Sequence, residues 1–209
     1  MAGRLISFEG GEGAGKSTAI QAAQERLDRH GIEVVLTREP GGTRIGEAIR
    51  SVLLDPVNAG LCAETELLLM FASRAQLVRE VIVPALERGA WVLADRFADA
   101  SFAYQGGGRG LPAVRIAELE RWTVGIRPDL TLLLDVPVAV GLGRARGRSP
   151  ADRIEAEPDA FFERVRAAYL ARADAEPRRF HVIDASRPPE AVAAAVRAAI
   201  DALLEAHAA

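Results

Sequence analysis

At 209 residues the chain is long enough for one sizeable core, and a composition 49% apolar and 26% charged excludes intrinsic disorder. A net charge of −3 argues against bulk nucleic-acid binding, no run of about 18 apolar residues offers a membrane span, and the opening residues run into a strand-like stretch rather than a secretory signal. The lone cysteine, Cys62, excludes an internal disulfide or a Cys-based zinc site and fits the reducing cytoplasm.

Leu5 to Phe8 reads as a first strand, followed by a glycine-rich turn. Lys16 to His30 reads as a helix stopped by Gly31, and Val34 to Leu36 as a second strand. Arg44 to Leu54 is a helix entered from the Gly41-Gly42-Thr43 turn, and Glu64 to Arg88 supplies one or two long helices with Pro84 as a kink or break. Trp91 to Ala94 is the third strand, Leu111 to Val124 a further helix, and Leu130 to Leu134 the fourth strand. Val138 to Pro158, rich in arginine and small residues, does not read as stable core. Asp159 to Ala175 is helical, Phe180 to Ile183 is the last strand, and the final helix places Val192, Val196, Ile200 and Leu203 on one stripe. Short strands that are apolar on consecutive positions and alternate with helices predict a parallel α/β sheet with right-handed crossovers.

Of the 26 basic residues, 25 are arginine and one, Lys16, is lysine. Where exchangeable cations have drifted to arginine, the remaining lysine marks a place that needs a compact ammonium. Its neighbours agree. Gly10-Gly11-Glu12-Gly13-Ala14-Gly15-Lys16-Ser17, continued by Thr18, matches G-x-x-x-x-G-K-[ST] between a strand and a helix. Main-chain N–H groups of such a turn wrap a polyphosphate, Lys16 reaches the terminal phosphates of ATP, and the Ser17 hydroxyl is placed to ligate Mg²⁺. The fold expected is therefore α/β, a three-layer P-loop NTPase fold with a short parallel sheet of about five strands covered by helices on both faces. It spans 1–209 as one domain, with a mobile arginine-rich lid at about 142–157. Glu12 is anomalous beside a triphosphate, so its side chain should turn away, either to a sugar hydroxyl of a second substrate or to a Mg²⁺-bound water; a solvated loop acid is the plain alternative.

A guanine-reading Asn-Lys-x-Asp element is impossible, because Asn58 is the only asparagine and the only lysine is in the loop. A motor or partner-activated ATPase finds little room for a transmission element in one domain. Phosphoryl transfer to a small acceptor requires a second anion site, a base-holding aromatic and a closing basic lid. Asp95-Arg96-Phe97 ends the third strand, with Asp95 placed for the Mg²⁺ shell or the acceptor and Arg96 for an acceptor phosphate. Thr37-Arg38-Glu39-Pro40-Gly41-Gly42-Thr43 offers another arginine on a tight turn, with a Glu39-Pro40 bond that is a candidate for cis. Phe71 and Arg74 lie three apart on one helix face, able to stack a base and donate to its exocyclic oxygen, although such a ring is more often core. Arg144, Arg146, Arg148 and Arg153 are either a solvated basic face or a lid bringing charge to the migrating phosphoryl.

Together these motifs resemble the bacterial thymidylate kinase family: the phosphate loop, Thr37 to Thr43, the Phe71/Arg74 helix, Asp95-Arg96, Tyr104-Gln-Gly-Gly-Gly-Arg-Gly110 and the arginine-rich stretch ending Asp152-Arg-Ile-Glu155 occur in family order. The resemblance implies transfer of the γ-phosphoryl of ATP to dTMP with Mg²⁺, in a cytoplasmic homodimer. It assigns Glu12 to the sugar 3′-hydroxyl, Arg38 and Arg96 to the acceptor phosphate with Pro40 in the same turn, and Asp95 to the transfer centre. Phe71 and Arg74 fall to the thymine, Ser101 and Gln105 to the acceptor pocket, and Tyr104 to the side that crowds a ribose 2′-hydroxyl. Arg144 resembles the side chain lying on adenine, Arg187 an adenine-side loop residue, and Arg148 the lid arginine of catalysis. Some relatives carry arginine where this chain has Gly13; with an arginine-rich lid instead, the sequence resembles the subtype whose lid supplies that charge. Kinases for another pyrimidine nucleotide or a deoxynucleoside, and a nucleotide-dependent binding module, are the alternatives.

Overall fold

The alternation of strands and helices is realised as one five-stranded, all-parallel sheet in the computed structural model, which describes residues 3–146 and 151–208. The strands are β1 Leu5–Glu9, β2 Val34–Arg38, β3 Trp91–Asp95, β4 Leu130–Asp135 and β5 Phe180–Asp184, in spatial order β2-β3-β1-β4-β5. Central β1 is buried along its whole length because helices cover both faces, which is why its sequence shows no polar alternation until Ser7 and Glu9. Phe8 pairs in register with Asp95, and Asp95 in turn with Arg38. The turns after β1, β2 and β3 therefore emerge at one carboxyl edge, where open α/β sheets bind ligands.

On one face α1 (Lys16–Asp28) and α9 (Pro189–Ala208) pack Ala19, Ala23, Leu27, Val196 and Ile200 against Ile6, Phe8 and Leu132. The other face is covered from α3 (Ala63–Leu77) and α6 (Ala113–Thr123), with Phe71, Leu77 and Ile116 against Leu5 and Val92. A third cluster under α8 (Asp159–Ala175) joins Tyr104, Phe161, Phe162, Val165 and Tyr169. Helix α2 (Arg44–Leu54) is capped by the Thr43 side chain, which accepts from the Gly46 N–H. Among the described residues, no helix is long and apolar enough to cross a membrane.

Three segments differ from the sequence expectation. The stretch from Glu64 to Arg88 is divided by a π turn at Val78–Ile82 before the short α4 (Val83–Glu87), so the extra residue falls just ahead of Pro84, which has no N–H to give. Ala98–Ser101 forms a short α5 that continues as a π turn over Phe102–Gly108, a stretch to which the sequence reading assigns no element. Tertiary packing decides this: a Cβ on Gly108 would stand 2.4 Å from the Phe161 ring and one on Gly107 2.5 Å from the Ala168 methyl, so the bare backbone is the surface α8 rests on. Val138 to Pro158, read as outside the core, instead supplies α7 (Val138–Ala145) and buries Leu142, Arg153 and Ile154. Arginine-richness misled there, because Arg153 is neutralised internally by the fully buried Glu66 at 2.6 Å.

Candidate active site

The turn after β1 carries the phosphate loop into α1. Gly15, with φ 88°, precedes the helix, and buried Ala14 pins the loop to the core. The Lys16 ammonium folds back to the Gly11 carbonyl at 3.3 Å. Burial and then the Arg96 charge pull Lys16 below its ordinary pKa, against Glu12, Asp95 and Glu9, which favour the cation. Ser17 and Thr18 are exposed in the first turn of α1, beside the helix N–H groups that make an anion site. Gly13 has φ 67°, and a Cβ there would lie 1.9 Å from the Gly141 carbonyl oxygen, so α7 leaves no room for a side chain at this place in the loop.

Beside the loop opens a cavity of about 260 Å³. Its anion-binding wall is lined by Lys16, Arg38, Arg50 and Arg96, with Glu12 and Asp95 among them. Arg96 has φ 69°, the one non-glycine residue with positive φ among the described residues, a conformation that costs energy unless its surroundings enforce it. Its guanidinium donates to the Gly10 carbonyl at 2.7 Å and to Glu12 Oε1 at 2.7 Å, and lies 4.8 Å over the Tyr104 ring. Tyr104 donates its hydroxyl to the same Glu12 oxygen at 2.8 Å. Burial pushes Glu12 up, but the charges of Arg96 and Lys16 and the Tyr104 hydroxyl hold it below its ordinary value. Glu12 thus turns away from the phosphate cradle, as its charge requires.

The far end of the cavity is polar and aromatic-backed. Arg74, 1% exposed, donates from Nε to Glu39 at 2.7 Å, from Nη1 to Ser101 Oγ at 3.0 Å and from Nη2 to the Phe97 carbonyl at 3.1 Å. Gln105 donates its amide to Glu66 at 2.9 Å and lines the cavity. The Glu39-Pro40 bond is cis, and the Pro40 carbonyl accepts from Arg50 at 2.9 Å. Burial pushes Glu39 up to about 6 against the opposing pull of Arg74. The folded chain therefore holds this proton more tightly than the unfolded one. Its stabilisation is full below the ordinary value of 4.5 and is lost as the pH rises through about 6. Urea unfolding at pH 4.5 and pH 7 should show Glu39→Gln gaining on the parent chain as the pH rises; a pH-independent difference would contradict this.

The structure brings Glu12, Lys16, Arg38, Pro40, Arg74, Asp95, Arg96, Ser101, Tyr104 and Gln105 to one cavity, but Phe71 does not line it. Phe71 is 2% exposed within the core, its ring under the Arg74 guanidinium at 4.6 Å, while Met70 lines the cavity instead. Positions 70 and 71 are both within helical reach of Arg74; Met70 is half-buried at the cavity, while Phe71 packs beneath the Arg74 guanidinium. Arg50 was also missed; a helical arginine carries no signal until the Pro40 carbonyl holds it on the wall. Arg153 leaves the set of lid charges, since it is buried on Glu66 and the Leu53 carbonyl. Arg146 pairs with Asp159 at the surface, and Arg148 lies outside the described residues. Arg144 and Arg187 are exposed on the opposite side of the loop, where Arg144 donates to the Ala185 carbonyl at 2.9 Å.

Asp95 Oδ1 and Thr37 Oγ1 are buried with no hydrogen-bond partner, and both residues line a cleft with Ser17. Buried oxygen atoms left unsatisfied next to a phosphate cradle suit a hard divalent cation, so the residues present fit Mg²⁺.

A main-chain cradle for a polyphosphate, sharing Lys16 and Glu12 with a cation-walled pocket that ends in a donor-rich, base-sized recess, defines a P-loop phosphotransferase with a nucleotide acceptor. The sequence model of the family described as thymidylate kinase matches residues 8–196. The chain is 55% identical over 206 residues to a thymidylate kinase of Pseudomonas putida, covering 98% of both chains, and 56% identical over 200 residues to one of Alkalilimnicola ehrlichii, covering 95% of this chain and 92% of the other. It superposes on the crystal structure of thymidylate kinase from Ehrlichia chaffeensis with a TM-score of 0.72 at 33% identity, covering 88% of this chain and 93% of that one. The chain belongs to the thymidylate kinase family.

Proposed function

We propose that this site carries out its reaction by positioning and charge, with the residue roles that follow. The chain catalyses the ATP-dependent phosphorylation of dTMP to dTDP. The observation that carries the roles is that Lys16, Glu12, Asp95 and Arg96 stand between the phosphate cradle and the acceptor cavity. The loop amides and Lys16 hold the triphosphate, while Arg38 and Arg96 grip the acceptor phosphate. That phosphate is already an oxyanion, so no strong general base is needed. Glu12 accepts from the sugar 3′-hydroxyl, and Tyr104 closes the space a ribose 2′-hydroxyl would occupy.

At the base end Arg74 has spent three of its five N–H groups, leaving donors for a thymine carbonyl, and the Gln105 carbonyl oxygen accepts from the ring N–H. Met70 packs on the base in the place first assigned to Phe71, with Ser101 holding Arg74 in line. Ser17 and Asp95 would hold Mg²⁺, which when bound offsets charge on the phosphates. On the other side Arg144 and Arg187 flank adenine. In an ADP-release assay across dTMP, dUMP, dCMP, UMP and thymidine, dTMP should give the highest kcat/KM, and chelation of magnesium should stop turnover. A preference for UMP or thymidine would overturn the base and phosphate assignments.

Transition-state charge beyond Lys16 has no source at Gly13, where a Cβ would collide with Gly141. In this reading it comes from the arginine-rich lid expected at about 142–157, with Arg148 as its donor. Arg148→Ala should lower kcat about 10²-fold and spare dTMP affinity. If Arg146→Ala does this instead, the donor is one place earlier in the alternating row.

The chain acts as a cytoplasmic homodimer in this reading. The dimer is supported by an exposed apolar strip across α3 and α6, where Leu68, Leu111 and Leu119 line one cleft with Trp122, which is 80% exposed. Sedimentation velocity should find a dimer that Trp122→Glu dissociates; a monomeric parent chain would refute it.

A further inference from the structure

Glu9 ends β1 fully buried and takes no part in the roles above. A buried carboxylate is costly unless its oxygens are engaged, so what engages them is informative. One oxygen accepts the Phe97 N–H at 2.7 Å and the other the Tyr169 hydroxyl at 2.7 Å. Both bonds lead to Arg96. Phe97 is its chain neighbour, and the Arg96 N–H is itself held by the Phe8 carbonyl at 3.0 Å, so the main chain is gripped on both sides of the residue with φ 69°. Tyr169, reaching in from α8 and 1% exposed, accepts from Arg96 Nη1 at 3.3 Å while donating to Glu9.

We propose that Glu9 and Tyr169 are positioning residues that clamp Arg96, Glu9 by fixing its left-handed main chain through Phe97 and its guanidinium through Tyr169. The physical need is plain. An arginine in this conformation relaxes unless held, and a relaxed side chain must be reordered each time an acceptor phosphate binds. With Gly10, Glu12 and Tyr169 holding its terminal nitrogens, Arg96 meets the phosphate already aimed. The gain is preorganisation for the acceptor, with none for ATP.

The proposal rests on Arg96 being the acceptor-phosphate ligand, so the experiment includes Arg96→Lys. Steady-state kinetics with dTMP and ATP varied separately are read for Tyr169→Phe, Glu9→Gln, Arg96→Lys and the double variant Tyr169→Phe/Arg96→Lys. Tyr169→Phe should raise KM for dTMP about fivefold to tenfold, with KM for ATP and kcat at saturating dTMP changed less than about threefold, the loss expected of one charge-assisted bond. Glu9→Gln keeps one acceptor oxygen and should give a smaller rise in the same constant. In the Arg96→Lys background Tyr169→Phe should add no further rise, because its target is gone. Equal rises for both substrates, an unchanged KM for dTMP, or additive losses in the double variant would overturn the clamp. An Arg96→Lys chain with normal KM for dTMP would instead remove the assignment of Arg96 itself. Should Tyr169→Phe fail to fold, Glu9→Gln alone and in the Arg96→Lys background gives the same reading.

Discussion

Lys16→Ala is expected to lower turnover by more than about 10³-fold, to the limit of a coupled ADP-release assay, because its loss strips the cradle of the one compact cation that spans both sides of the site. The side chain lines the acceptor cavity and bonds the Gly11 carbonyl inside the loop, so it stands where the two sites meet. Lys16→Arg should recover little: a planar guanidinium cannot enter a turn sized for an ammonium, in a chain that uses arginine at its other 25 basic positions. Folding should survive either change, since burial already disfavours the Lys16 cation. A Lys16→Ala chain with kcat near that of the parent would remove the phosphate-loop assignment and the reaction scheme built on it.

Glu66→Ala is expected to be among the most destabilising single changes, by about 3–5 kcal/mol in urea unfolding. Glu66 is fully buried on α3 and accepts from Arg153 at 2.6 Å, Arg109 at 3.0 Å and Gln105 at 2.9 Å. Arg109 also pairs with Glu157, so the cluster ties α3, the π turn over Phe102–Gly108 and the segment just ahead of α8. Without it the Arg153 guanidinium, 5% exposed, stays buried and uncompensated. The exposed pair Arg146–Asp159 supplies the contrast, since its loss should cost less than about 1 kcal/mol. Equal costs at the two places would show that the Glu66 cluster is hydrated in solution. The variant should also raise KM for dTMP, as Gln105 loses the partner that orients it.

Burial on both faces leaves β3 apolar up to Asp95 and β1 apolar but for Ser7 and the terminal Glu9, and both strands were legible for that reason. The phosphate loop was legible because its chemistry is main-chain chemistry: glycines, of which Gly10 and Gly13 have no room for a Cβ, then a lysine and a serine at the helix start. The Gly41-Gly42-Thr43 turn leading into α2 is likewise a local signal, with Thr43 capping the helix. The acceptor side was legible as a set of polar residues, but which member faces the ligand was not. Met70 and Phe71 differ by one helical step, and only the core beneath α3 takes the ring and leaves the thioether to the cavity.

What the sequence determined by itself was the order of strands and helices, the cradle and the class of reaction, because hydrophobic period, glycine placement and a lysine among arginines act over a few neighbouring residues. The tertiary structure decided the partners of the ionic groups. Arg153 goes inward to Glu66 while Arg146 stays at the surface, and Glu9 meets Tyr169 across 160 positions of chain. A guanidinium carries the same charge in every local context; its desolvation, and the carboxylate that offsets it, exist only once distant segments have packed.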